Sequence, residues 1–226
     1  MKKLLTLISL SLGCASCSAA PASPPPARKL VLVHGFLETG SAFGIMKRHF
    51  EKQGYQCFVP KLRPSDGRGG LEALSAGLQR DIEASLQPEE RFSIVAFSMG
   101  GIVSRHYLQH LGGAKRCDHL FTISSPHNGT QAAWLYPTQG AREMRPDSEF
   151  LKNLQSTEPK LGSMPVVSYW TPMDLIILPA HSSVWDRADN IKTHSPLHPL
   201  MVTSRTVLND ISRRLKEVGT IRPGRP

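Results

Sequence analysis

RFSIVAFSMGGIVSRHYLQHL, from Arg91 to Leu111, is the stretch that decides the fold. Arg91 to Phe97 is a short, nearly continuous apolar run, the pattern of a strand covered on both faces of a sheet. Gly101 to Leu111 reads as a helix. Between them lies Ala96-Phe97-Ser98-Met99-Gly100, where a tight strand-turn-helix connection holds a serine in a strained conformation with its hydroxyl at the sheet's edge. Small residues two before and two after the serine are needed because strand and helix pass close there. Ala96 stands where glycine is usual and adds one methyl group to that crossing.

The same alternation extends outward. Upstream, Lys29 to Val33 (KLVLV) is a buried strand ending in His34-Gly35, and Ser41 to Lys52 a helix through Phe43, Ile45, Met46 and Phe50, with Ser41 as cap and Gly54 as stop. Tyr55 to Leu62 follows as a strand and Leu71 to Leu86 as an amphipathic helix through Leu74, Leu78 and Ile82. Downstream come strands at His119 to Ser124 and Pro165 to Tyr169, then a closing helix from about Leu200 to Val218 with Val207, Ile211 and Leu215 on one face. From Thr130 to Ser163 the pattern weakens to a polar-aromatic segment with one helix, Ser148 to Leu154. This order predicts an α/β architecture: a mostly parallel sheet flanked by helices on both faces, with ligands at the carboxyl ends of the strands. A short cap is expected between the strand ending at Ser124 and the strand starting near Pro165. The chain has 226 residues, 40% of them hydrophobic, enough for one sizeable core. One domain, residues 29–218, is therefore expected.

Residues 1–20 have the form of an export signal, with Lys2 and Lys3, an apolar run from Leu4 to Leu12, and small residues from Ala15 to Ala20. The run is too short to span a bilayer. The expected location is periplasmic, extracellular or lipid-anchored in the envelope, because Cys14 and Cys17 each follow a small residue and are candidates for lipidation; ordinary cleavage near Ala20 is the alternative. Residues 21–28, with Pro21, Pro24, Pro25 and Pro26, read as an extended linker, and residues 219–226 as a basic tail. The formal charge is +9; without Lys2 and Lys3, 25 basic residues face 18 acidic ones, or +7. No nucleic-acid recognition motif accompanies that charge, so no nucleic-acid partner is expected.

A serine hydroxyl is a poor nucleophile at neutral pH and needs a histidine to take its proton and a carboxylate to hold the imidazole. The acid should follow a later strand, where Thr171-Pro172-Met173-Asp174 places Asp174; Asp186 and Asp189 lie in a polar segment away from a strand end. His194 and His198 both precede the closing helix, and His198 stands immediately before its register. At the end of the first strand, Gly35 lets the backbone turn so that the Phe36 amide, with that of Met99, forms an oxyanion hole; losing one such donor raises the barrier by on the order of 3 kcal/mol. The His34 side chain is expected to bond to backbone, and with Trp134, Leu135 and Tyr136 it completes the candidate substrate-contacting set. Trp134, Leu135, Tyr136, Met144, Phe150 and Leu151 either line an acyl pocket or pack the cap. His106 and His110, four apart without an accompanying carboxylate motif, read as structural, and no metal site is expected.

These residues resemble the lipases of the α/β-hydrolase superfamily, especially the small bacterial secreted lipases and esterases, over roughly Leu30 to Leu215. The superfamily's chain order of serine, acid and histidine matches Ser98, Asp174 and His198, and an alanine at the place of Ala96 is common among these lipases. Their closing-helix pattern is similar to His198, Leu200, Met201, Ser204, Val207 and Ile211, which favours His198 over His194. Ser125-Pro126-His127-Asn128-Gly129-Thr130 resembles the turn after their next strand, where it shapes the pocket wall without being catalytic. The resemblance implies a cofactor-free, monomeric carboxylic-ester hydrolase acting on acyl esters or lipids, with contact to a membrane surface. A serine acyltransferase or amidase, and a catalytically silent envelope-binding protein, are the competing expectations. The implied strand order separates Cys57 from Cys117 by three strand spacings of about 4.8 Å, beyond the roughly 7 Å that a disulfide bridges, so two buried thiols are expected.

Overall fold

The computed structural model describes residues 28–220; the expected signal with Cys14 and Cys17, the linker up to residue 27, and tail residues 221–226 lie outside them. Within them run β1 (Lys29–Val33), α1 (Gly44–Glu51), β2 (Gln56–Phe58), α2 (Leu71–Ser85), β3 (Phe92–Phe97), α3 (Met99–His110), β4 (Cys117–Ile123), α4 (Gln139–Glu143), α5 (Glu149–Ser156), β5 (Val166–Trp170), β6 (Asp189–Lys192) and α6 (Arg205–Thr220). The strands form one sheet in the order β2-β1-β3-β4-β5-β6, parallel throughout. The chain leaves β1 toward one edge and returns from β2 to β3 on the other side. The order therefore reverses between β1 and β3, and a crevice opens there at the carboxyl ends of the strands.

Alternation along the strands divides the core between the two faces. Leu30 and Leu32 of β1 and Val95 and Phe97 of β3 pack with Met46 and Phe50 of α1 and Val207 and Ile211 of α6. Val31, Val33, Ile94 and Ala96 face the opposite layer, with Leu74 and Leu78 of α2, Ile102 and Val103 of α3, and Leu151 and Leu154 of α5. Each fully buried aliphatic side chain contributes about 1.5–3 kcal/mol. Ala96 thus points at α3, the crossing where a small side chain was required.

Several boundaries differ from the expected ones. The second strand shortens to Gln56–Phe58, because Val59 onward turns away from β1 and only three residues pair. Ser41 does not cap α1; it begins a 3-10 turn, Ser41–Phe43, preceded by Gly40 at φ 84°. Helix α3 begins at Met99, directly after Ser98, and not at Gly101. The closing helix starts at Arg205 and runs to Thr220, two residues beyond the expected domain end; Leu200 and Met201 lie in a separate 3-10 turn, His198–Thr203. Asp189 heads a sixth strand, since the polar DNIK segment pairs with β5 through Val167↔Asp189 to Trp170↔Lys192. The short α4 in the cap was also not expected. Cys57 and Cys117 are free, on β2 and β4, but Cys57 is only half-buried. His106 and His110 stack at 4.7 Å, with ring nitrogens bonded to Ser75 Oγ and Thr157 Oγ1.

Candidate active site

Ser98 sits at the junction of β3 and α3 with φ 53° and ψ −127°, a region that costs a non-glycine residue about 1–3 kcal/mol. Two neighbours hold it there. Its amide donates to Ile123 O at 2.8 Å, extending the β3–β4 ladder by one residue, and its carbonyl accepts from Gly101 N at 3.0 Å as α3 begins. The crossing is tight on both sides of the serine: a Cβ on Gly100 would lie 2.5 Å from Val33 O, and one on Gly35 3.0 Å from Ser98 Cβ. The backbone after β1 therefore passes directly beside Ser98. Met99 is the first residue of α3, so its N–H has no intrahelical partner and lies at the positive end of the helix dipole. Phe36 follows Gly35 in the adjoining turn, and its ring meets Tyr136 edge-on at 5.0 Å.

Asp174 and His198, 24 residues apart, meet in a buried pair. His198 Nδ1 lies 2.7 Å from Asp174 Oδ2, so Nδ1–H donates and Nε2 carries the lone pair. The imidazole packs on Phe97, the residue before Ser98, with ring centroids 4.7 Å apart. The other carboxylate oxygen, Oδ1, accepts from Ile176 N and Ile177 N, each at 2.9 Å. Burial by itself would raise the Asp174 carboxyl, but the His198 hydrogen bond and charge, with the two amides, outweigh it and hold the group below the ordinary carboxylate range. Thr171 Oγ1 donates to Ser195 O at 2.7 Å and ties the loop of the acid to the loop of the histidine. His194, Asp186 and Asp189 are exposed, and Asp189 pairs with Arg214.

His34 is buried, accepts from Leu62 N at 3.1 Å through Nε2 and donates from Nδ1 to Gly35 O at 3.0 Å. With both nitrogens engaged it stitches β1 to the segment after β2 and has no free atom for a substrate. Of the six cap residues, Met144, Phe150 and Leu151 pack in the core, whereas Trp134, Leu135 and Tyr136 are exposed, Leu135 to 80%. These three share the strand-end edge with exposed Leu37, Leu175, Ile176, Leu197 and Leu200, an apolar rim formed by the loops that follow the strands. Asn128, in the turn after β4, is a connector: its Nδ2 donates to Val184 O at 2.9 Å.

Sequence reasoning missed the group that braces this turn. Arg105 of α3 is fully buried; it donates to Leu154 O at 3.2 Å, Glu158 Oε1 at 2.9 Å and His127 Nδ1 at 3.3 Å, and lies 4.0 Å over the Trp185 ring. Desolvation pulls its guanidinium down to about 10, against the attraction of Glu158. Because Arg105 only donates, His127 Nδ1 must carry a lone pair, and Nε2–H donates to Thr122 Oγ1 at 3.0 Å. Burial first, and then Arg105, push the His127 pKa well down, so it is neutral. The only sequence signal was a charged residue inside a helix that is glycine-rich and apolar on most sides.

A family model for the alpha/beta hydrolase fold matches residues 29–176. A search of curated protein sequences returns no match. Among solved structures, the mature form of the lipase BlEst2 from Bacillus licheniformis superposes with a TM-score of 0.70 at 19% identity, covering 86% of this chain and 94% of that one. A structure reported for the metagenome-derived lipolytic enzymes LipS and LipT gives 0.64 at 12% identity, covering 84% and 94%. A pyrethroid hydrolase from Sphingobium faniae JZ-2 gives 0.58 at 14%, covering 84% and 98%. At these identities the likeness is one of fold. With the parallel sheet, the strained serine at its switch point and the family match over most of its length, the chain belongs to the α/β-hydrolase fold family.

Proposed function

We propose that the protein is a serine-dependent carboxylic-ester hydrolase of lipase or esterase type. The observation that carries this reading is the buried Asp174–His198 pair packed on Phe97 beside the strained Ser98. Ser98 Oγ attacks the ester carbonyl while His198 Nε2 takes its proton and passes it to the leaving alcohol; Asp174 holds the imidazole in the Nδ1–H tautomer and stabilises the imidazolium. The amides of Phe36 and Met99 stabilise the tetrahedral oxyanion, and water, activated by the same histidine, releases the acid. These residues supply every step, with no cofactor. The apolar rim supports an acyl ester or lipid presented at a surface, and the signal-like residues 1–20 support action outside the cytoplasm.

Labelling with a fluorophosphonate tests the nucleophile. Wild type is expected to label, and Ser98→Ala and His198→Ala are not; an unlabelled wild type would sink the hydrolase reading and leave a silent binding protein. Hydrolysis of acyl esters from about two to sixteen carbons, below and above their solubility limits, then separates lipase from esterase. A rate rise at the emulsion boundary is the lipase outcome.

A further inference from the structure

Thr130, which ends the turn after β4, lies 5% exposed and makes bonds that reach across the site. Its hydroxyl donates to Ile176 O at 2.7 Å and accepts from Leu178 N at 2.9 Å and Ala132 N at 3.3 Å. A hydroxyl has one proton and two lone pairs, and all three are used. The next amide, Gln131 N, adds a bond to Leu178 O at 2.8 Å. The segment gripped in this way is the one whose Ile176 and Ile177 amides hold Asp174 Oδ1.

We propose that Thr130 is a positioning residue for the Asp174 carboxylate. It touches neither Asp174 nor His198 and acts through the backbone of residues 176–178. Apolar burial cannot fix that loop alone, since Leu175, Ile176 and Leu178 are exposed and only Ile177 is buried. Its register is set by polar bonds to the turn, and the turn is a rigid platform. Gly129 has φ +86°, and a Cβ there would meet Pro146 N at 2.5 Å, so chain packs directly on chain. Thr130 N donates to Met144 O, Asn128 N to Ser182 O, and His127 is pinned between Arg105 and Thr122. The path from α3 to the acid therefore runs Arg105, His127, Thr130, Ile176, Asp174, with the Thr130 hydroxyl as a joint between the turn and the loop of the acid.

The inference rests on the reading of Asp174 and His198 given above. Thr130→Val keeps the side-chain volume and removes the hydroxyl; Thr130→Ser keeps the hydroxyl. Turnover of a soluble p-nitrophenyl ester is measured as kcat and KM per fluorophosphonate-titrated site, so misfolded protein does not count. Thr130→Val is expected to lower kcat about tenfold with KM within about twofold, the scale of sub-ångström misplacement of a catalytic group. Thr130→Ser is expected to stay near wild type. Thr130→Ala, which deletes the hydroxyl without pressing a methyl on the Leu178 amide, serves if the valine variant does not fold, and the same result is expected. If the hydroxyl-free variants keep wild-type kcat per titrated site, even with a lower Tm, the role is structural and the proposal is overturned. Asp174→Asn in parallel separates the two failures. If it retains full turnover, the acid assignment is wrong; if it alone loses turnover, only the Thr130 inference falls.

Discussion

Gly100→Ala is the smallest change that reaches the site. Gly100 is the second residue of α3, and a methyl on it would stand 2.5 Å from Val33 O and 2.6 Å from His34 O. The closest ordinary carbon–oxygen contacts are about 3.3 Å, so helix and strand must separate by about 0.8 Å. Neither partner yields cheaply. Strand β1 is paired on both sides, by β2 and β3, and α3 is anchored through Arg105. The displacement therefore falls on the helix start, which carries Met99, and on the strand end, which carries Phe36, and it widens the gap between the two proposed oxyanion donors. Overpacking of this kind costs about 2 kcal/mol, or roughly 4–8 °C in Tm for a chain of this size. A misplacement near 1 Å costs on the order of 100-fold in rate. Gly77→Ala, in α2, is the control, because its methyl would meet only Arg80 Nη2 at 3.7 Å. It is expected to raise Tm by roughly 2–4 °C through about 1 kcal/mol of helix propensity and to leave turnover unchanged. Ester hydrolysis per titrated site and thermal melting check both. A Gly100→Ala enzyme with wild-type Tm and kcat within twofold would refute the close-crossing argument.

Asp174→Asn keeps the volume but lets an amide face His198 Nδ1, favouring the wrong tautomer; kcat is expected to fall on the order of 1000-fold or more, read by steady-state hydrolysis. Arg105→Met strips His127, Leu154 O and Glu158 of a buried donor and is expected to cost about 3 kcal/mol, the low end for a broken buried pair because Glu158 is partly exposed; melting should drop by roughly 6–12 °C. His127 has a folded pKa far below its unfolded value near 6.5, so the unfolded chain binds the extra proton. Its contribution is complete above about pH 6.5 and is lost as pH falls, by up to about 1.4 kcal/mol per pH unit. Melting from pH 7.5 to 5 should therefore fall more steeply in wild type than in His127→Asn. Trp134→Ser with Leu135→Ser is expected to lower hydrolysis of emulsified long-chain esters several-fold and to spare a soluble short-chain ester; equal losses on both would assign these side chains to the pocket and not to the rim.

The amino-acid sequence by itself determined the parts whose causes are local. Apolar runs at strand length, helices with a 3.6-residue stripe and small residues flanking Ser98 are all contained within about ten residues, and together they dictated the parallel sheet and the serine at its edge. That loops after strands lie at one edge put Ser98 and Asp174 together in the reading, whereas the choice of His198 over His194 leaned on the resemblance to lipases. Tertiary structure decided what depends on partners distant in sequence. The polar strand β6 exists because β5 offers it a ladder, and nothing in Asp189–Lys192 announces that. His34 was expected to bond to backbone, but that its partner would be Leu62, 28 residues away, only the folded chain decided. The three bonds of Thr130 and the burial of Arg105 are of the same kind: a hydroxyl or guanidinium carries no mark of whether its partners will be water or chain until the folded chain has excluded the water.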